Sequence, residues 1–114
     1  MKNYVVNNYL IIECLPDLDG AHVKAARDLF ESATDGQYQG VLVDMSGTRL
    51  IDSSGIGALV FLYKRLKTAK RALALIGLQG QPATLLKRLG FLDAVPEYGS
   101  LAAFMSAPNC ETAA

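Results

Sequence analysis

The chain is poor in the groups that most reactions need. It has one histidine, His22, and two cysteines, Cys14 and Cys110, so the usual neutral-pH acid or base has a single candidate. No CxxC spacing offers a metal or redox pair. His22 falls in the first turn of an expected helix and reads as a helix-surface residue. Asp17 and Asp19 read as a turn and a helix cap rather than as ligands, and neither metal nor cofactor is expected. Cys14 lies in a strand-like run and reads as a buried thiol, with Cys110 a loose one in a polar tail.

Glycine motifs are equally thin. "GIG" at 55–57 has no third glycine for a dinucleotide fingerprint, and no glycine-rich loop ends in Lys-Ser or Lys-Thr. "DSSG" at 52–55 lacks the flanking glycine of a nucleophile elbow, and no histidine stands downstream of it. A non-catalytic protein is therefore expected. Long apolar runs are missing too: "GIGALVFLY" is too short to span a bilayer, and "MKNYVVNNYLIIECLP" lacks a signal peptide's apolar segment and cleavage site. The expectation is a cytoplasmic protein without direct membrane insertion. Net charge is zero and the cations are not interleaved with aromatics, which argues against nucleic acid.

What is present is a globular balance, 51% apolar and 19% charged over 114 residues, enough for one core. A single domain is expected over 1–114, with its core at about 9–106 and a frayed tail at 107–114. "YVV" and "YLIIEC" flank Asn7 and Asn8, a pair suited to a tight hairpin. "AHVKAARDLFESATDG" places Val23, Ala26, Leu29, Phe30 and Ala33 at helical spacing, with Asp19 as cap and Gly36 beyond the end. "GVLVDM" and "ALALIGL" read as buried strands, and the helix between them, about Ser54 to Arg71, makes the crossover of a parallel sheet. A helix from Pro82 to Leu89, an extended piece within "FLDAVPEY" and a short helix capped by Ser100 complete an α/β mixed sheet of four or five strands.

The junction "LIDSSGIGALVFLYKRLKTAK" carries the chemistry. It presents two hydroxyls, Ser53 and Ser54, at a helix N-terminus, where backbone amides lack partners and the macrodipole is positive. Either serine can be the helix cap, or either can accept a phosphate. The residues alone leave both readings open, with the cap the weightier. Seven of eleven cations, Lys64 to Arg88, lie between Asp52 and Asp93 with no acid among them, a solvated face or a surface for an acidic protein.

"VLVDMSGTRLIDSSGIGALVFLYKRLK" followed by "LALIGLQGQPATLLKRLGFLDAVPEYGSLAAFM" resembles the STAS domain family of anti-sigma-factor antagonists and their bacterial relatives, from about Tyr9 to Met105. The resemblance implies a mixed sheet of four to five strands with about four helices. It also implies a switch, in which the unphosphorylated domain binds a serine kinase of anti-sigma type and phosphorylation ends that binding. Ser54 matches the phosphoacceptor, Ser53 the neighbouring hydroxyl and minor alternative, and Asp52 and Gly55 the rest of the motif. A PP2C-type phosphatase is the implied counterpart. Pro16 stands where the family commonly has glycine, in a loop that relatives use at the partner surface. Some relatives instead serve, unphosphorylated, as docking subunits in signalling scaffolds or lipid-transport assemblies, which is the alternative function.

Winding 54–71 at about 100° per residue puts Ile56, Leu59, Tyr63 and Leu66 on one face, Leu62 at its edge, to meet the sheet. Phe61 then falls almost opposite, beside Ala58, Lys64 and Arg65. With Ser53 these make the expected partner-binding patch, an apolar anchor with a basic rim. Gly55 is expected to let a kinase backbone approach closely.

Overall fold

Asn7 and Asn8 both take positive φ, 49° and 69°, as a two-residue turn between right-twisted strands requires. They join β1 (Asn3–Val6) to β2 (Tyr9–Glu13) as an antiparallel hairpin. The computed structural model describes residues 1–106; the tail at 107–114, with Cys110, lies outside them. After β2 come a two-residue strand, β3 (Asp17–Leu18), and helix α1 (Val23–Asp35), then β4 (Gly40–Asp44) and a second two-residue strand, β5 (Leu50–Ile51). Helix α2 (Ser53–Thr68) crosses back to β6 (Ala72–Ile76), followed by α3 (Gly80–Arg88), α4 (Phe91–Ala94), β7 (Glu97–Tyr98) and α5 (Leu101–Ser106).

The main sheet has five strands in the order β1-β2-β4-β6-β7, parallel except for the β1 edge. Both faces are covered, which is why its strands read as unbroken apolar runs. Leu10, Ile12, Val41, Val43, Leu73 and Leu75 meet Ala26, Phe30, Leu59, Leu62, Leu66 and Leu86 of the helices. On the other face Tyr9, Ile11, Leu42, Ala74 and Ile76 pack with Phe104 of α5, whose ring lies edge-on to Tyr9 and Tyr98 at 5.1 Å each.

The α/β mixed sheet is as expected, with two additions and one shift. β3 and β5 form a separate parallel pair, Asp17 opposite Leu50 and Leu18 opposite Ile51. The extended piece expected within "FLDAVPEY" is Glu97–Tyr98, and Phe91–Ala94 ahead of it adds one helical turn. Helix α2 stops at Thr68 rather than Arg71. There Lys70 enters the left-handed region at φ 59°, and the amides of Lys70 and Arg71 bond the carbonyls of Lys67 and Leu66, the two closing bonds of a Schellman motif. Ser100 caps α5 as expected, its hydroxyl accepting from the amide of Ala103 at 3.1 Å.

Candidate functional site

The helix that starts at the serines is capped by Asp52, not by a serine. Oδ1 of Asp52 accepts from the amides of Ser54 and Gly55 at 2.9 and 3.1 Å. Its backbone carbonyl takes the amide of Ile56 at 2.9 Å. Its other oxygen, Oδ2, accepts from the amide of Gly20 at 3.1 Å, tying the loop before α1 to the start of α2. One carboxylate thus aligns two helix entrances.

Both hydroxyls are left uncommitted: among the described residues neither Ser53 nor Ser54 has a side-chain hydrogen bond. Ser53 is exposed and Ser54 half-buried. Ser54 abuts Gly20, where a β-carbon would stand 3.4 Å from its Oγ. A phosphate on Ser54 would find the nearest amides already taken and the Asp52 carboxylate beside it. It would add charge to the surface without being gripped by the helix end.

Gly55 has an internal reason to be glycine. A β-carbon there would overlap the Leu18 carbonyl and stand 2.8 Å from Ile51 Cγ1 and 2.9 Å from Leu18 Cγ. The backbone that approaches Gly55 is the chain's own β3, and this contact seats α2 on the small β3–β5 sheet.

That seating turns α2 away from the expected orientation. Its buried residues are Gly55, Ala58, Leu59, Leu62 and Leu66, while Ile56 and Tyr63 are half-buried on the flank. Ala58, expected on the outer patch, is fully buried and cannot touch a partner. Lys64 and Arg65 are exposed as expected. Phe61 is half-buried beside α1, with the Arg27 and Arg65 guanidinium carbons over its ring at 5.2 and 5.4 Å from the centroid.

Around this junction the other chemically notable groups hold structural positions. Asp19 Oδ1 accepts from the amides of Ala21 and His22 and lies 2.7 Å from His22 Nδ1. The hydrogen bond from His22 holds the Asp19 carboxyl below its ordinary value. Cys14 is half-buried, and burial raises its thiol above the ordinary value against the opposing hydrogen bond with Thr48. Gln81 was not foreseen: its amide accepts from the Ile51 amide and donates to the Ile51 carbonyl, both at 2.9 Å, pinning α3 to the strand that leads into Asp52. A glutamine in a helix's first turn gives no sequence sign of such a bridge. Pro16 fits its loop, its carbonyl accepting from the amides of Arg49 and Leu50 at 2.7 and 3.3 Å.

Among solved structures, a Thermotoga maritima protein provisionally assigned as an anti-sigma factor antagonist superposes with a TM-score of 0.83 at 17% identity, over 91% of this chain and 90% of that one. An anti-sigma-factor antagonist (STAS) domain protein from Planctomyces limnophilus gives 0.80 at 22% identity over 89% and 90%. The anti-sigma factor antagonist SpoIIAA in its unphosphorylated form gives 0.71 at 17% identity over 89% of each chain. No curated protein sequence matches significantly. The model of the STAS domain matches residues 1–103, so the capped junction and the sheet beneath it belong to a member of the STAS domain family.

Proposed function

We propose that this chain is a non-catalytic, cytoplasmic protein-binding switch. With Ser54 unmodified it binds a serine kinase of anti-sigma type; transfer of phosphate to the Ser54 hydroxyl ends that binding, and a PP2C-type phosphatase restores it. The observation that carries the reading is the division of labour at the junction. Asp52 satisfies the helix amides, so the Ser54 hydroxyl has no structural bond to lose on modification. A new charge of roughly −2 would stand beside a fixed carboxylate on a surface that must desolvate to bind. Similarity to anti-sigma-factor antagonists supports the class of partner.

Mass spectrometry of the protein co-expressed with a candidate kinase encoded beside it should place phosphate on Ser54, with Ser53 at most a minor site. Thr48 is buried and donates its hydroxyl to the Leu15 carbonyl, so it should stay unmodified. In pull-downs the wild type should retain the kinase and Ser54→Asp should lose it. Phosphate confined to Ser53, Ser46 or Thr48 would refute the acceptor. A second reading is an unswitched docking subunit of a signalling or lipid-transport assembly, with Pro16 stiffening the loop at the partner surface. Partner capture that is indifferent to Ser54→Asp would select it.

A further inference from the structure

Two guanidinium groups from different helices share one aromatic ring. Arg27 on α1 and Arg65 on α2 both lie over Phe61, and neither has a carboxylate partner among the described residues. Asp28, beside Arg27, is engaged with Lys24 at 3.3 Å. Glu31, one turn on from Arg27 along α1, forms no ion pair with it. The ring attracts each cation but leaves the N–H donors of both without a carboxylate among the described residues. An external carboxylate would gain paired N–H donors there, a geometry to which guanidinium is suited.

The pair is also placed in line with Ser54. Phe61 and Arg65 follow it by seven and eleven residues, which brings both within about 20° of its direction on the helix, some 10 and 16 Å along the axis. We infer that Arg27, Phe61 and Arg65 form a docking patch for an acidic segment of a partner protein, its carboxylates meeting the guanidiniums and its apolar side chains the exposed part of the ring. This rests on the binding-module reading above and names the partner's chemistry. It also gives the phosphate a way to act, because negative charge at the head of the same stripe repels what the arginines attract.

The basic pocket at the other end of α2, lined in part by Tyr63, Lys67, Lys70 and Arg71, serves as the internal control. Its cations cluster at a helix C-terminus, where the macrodipole already accounts for them. Hexaglutamate titrated at low ionic strength into the isotope-labelled full chain should move the Arg27 and Arg65 side-chain NMR signals and the Phe61 ring signals before those of Lys67, Lys70 and Arg71. Arg27→Gln with Arg65→Gln should weaken the peptide at least about fivefold, whereas Lys67→Gln with Lys70→Gln, an equal loss of charge, should change it less than about twofold. Equal losses in the two pairs, shifts centred on Arg71, no response, or an equal response to inorganic phosphate would each overturn the patch. Ser54→Glu in the same titration separates the two claims. Weaker binding links the patch to the serine, and unchanged binding with the arginine effects intact removes the switch while leaving the patch.

Discussion

The carbonyl of Leu18 lies against Gly55 so closely that a β-carbon there would overlap it. This contact sets how α2 sits, and through α2 the direction in which Ser54 and Phe61 face. Gly55→Ala should therefore destabilise the domain by about 1–3 kcal/mol, since backbone cannot yield as a side chain does. Gly57, where an added methyl group would meet nothing within 4 Å, should behave oppositely: Gly57→Ala should stabilise by roughly 0.5–1 kcal/mol. Urea denaturation of the two variants checks the pair, and similar effects of one sign would contradict the contact.

Asp52→Ala removes acceptors from three amides at once, those of Ser54, Gly55 and Gly20. The expected loss is about 1–2 kcal/mol, the upper part of the range for a helix cap. Asp52→Asn keeps one oxygen and should recover much of it. Hydrogen exchange should show the Ser54, Gly55 and Gly20 amides losing protection together in the alanine variant, and protection retained at Gly20 alone would separate the two helix entrances.

Leu59 is fully buried among the core residues, whereas Phe61 is half-buried under two arginines. Leu59→Ala should cost roughly 2–5 kcal/mol through the cavity it leaves. Phe61→Ala should cost only about 1–2 kcal/mol, for partial apolar burial and the lost cation–π contacts. Chemical denaturation that ranks Phe61→Ala with Leu59→Ala would mean that α2 is rotated from the orientation described.

Lys70 occupies the left-handed position that closes α2, at φ 59°. A side chain there costs energy that glycine does not. Lys70→Gly should raise stability by up to about 1 kcal/mol, read as a higher thermal midpoint. A lower midpoint would show that the lysine side chain makes a stabilising contact that outweighs its backbone strain.

Asp19 couples to pH with a definite sign. Its folded value lies below the ordinary one, chiefly because of the hydrogen bond from His22. Its stabilising contribution is thus present above the unfolded value, near 4, and is lost as pH falls through the folded value. Denaturation of wild type and Asp19→Asn should differ at pH 6 and converge once pH has fallen through the folded value of Asp19. A gap that persists in acid would assign the effect to something other than the carboxylate charge.

Local chemistry in the chain was enough for much of the fold. The Asn7–Asn8 turn, the apolar runs of β2, β4 and β6, and the alternation of strand and helix are each determined by neighbouring residues, so they are legible one segment at a time. The same holds for the Ser100 cap and for the "DSSG" junction as a place of interest. Two-residue strands carry no such signal. Asp17–Leu18 and Leu50–Ile51 exist only because the tertiary fold lays them side by side.

The face that α2 turns inward was likewise beyond local reading, because residues 56–63 are apolar nearly all round and periodicity cannot select a direction. Packing selected it: Gly55 had to meet Leu18, which buried Ala58 and swung Phe61 towards α1. The helix cap was expected at Ser53 or Ser54, whereas Asp52, an equally good acceptor, takes that place. The tertiary position of Gly20, whose amide takes the other oxygen of the Asp52 carboxylate, adds a long-range bond to that cap, and the Ser54 hydroxyl is left free. Arg27 entered the docking patch from another helix for the same reason: charge and residue type are written along the chain, but which charges share a ring is a property of how two helices pack.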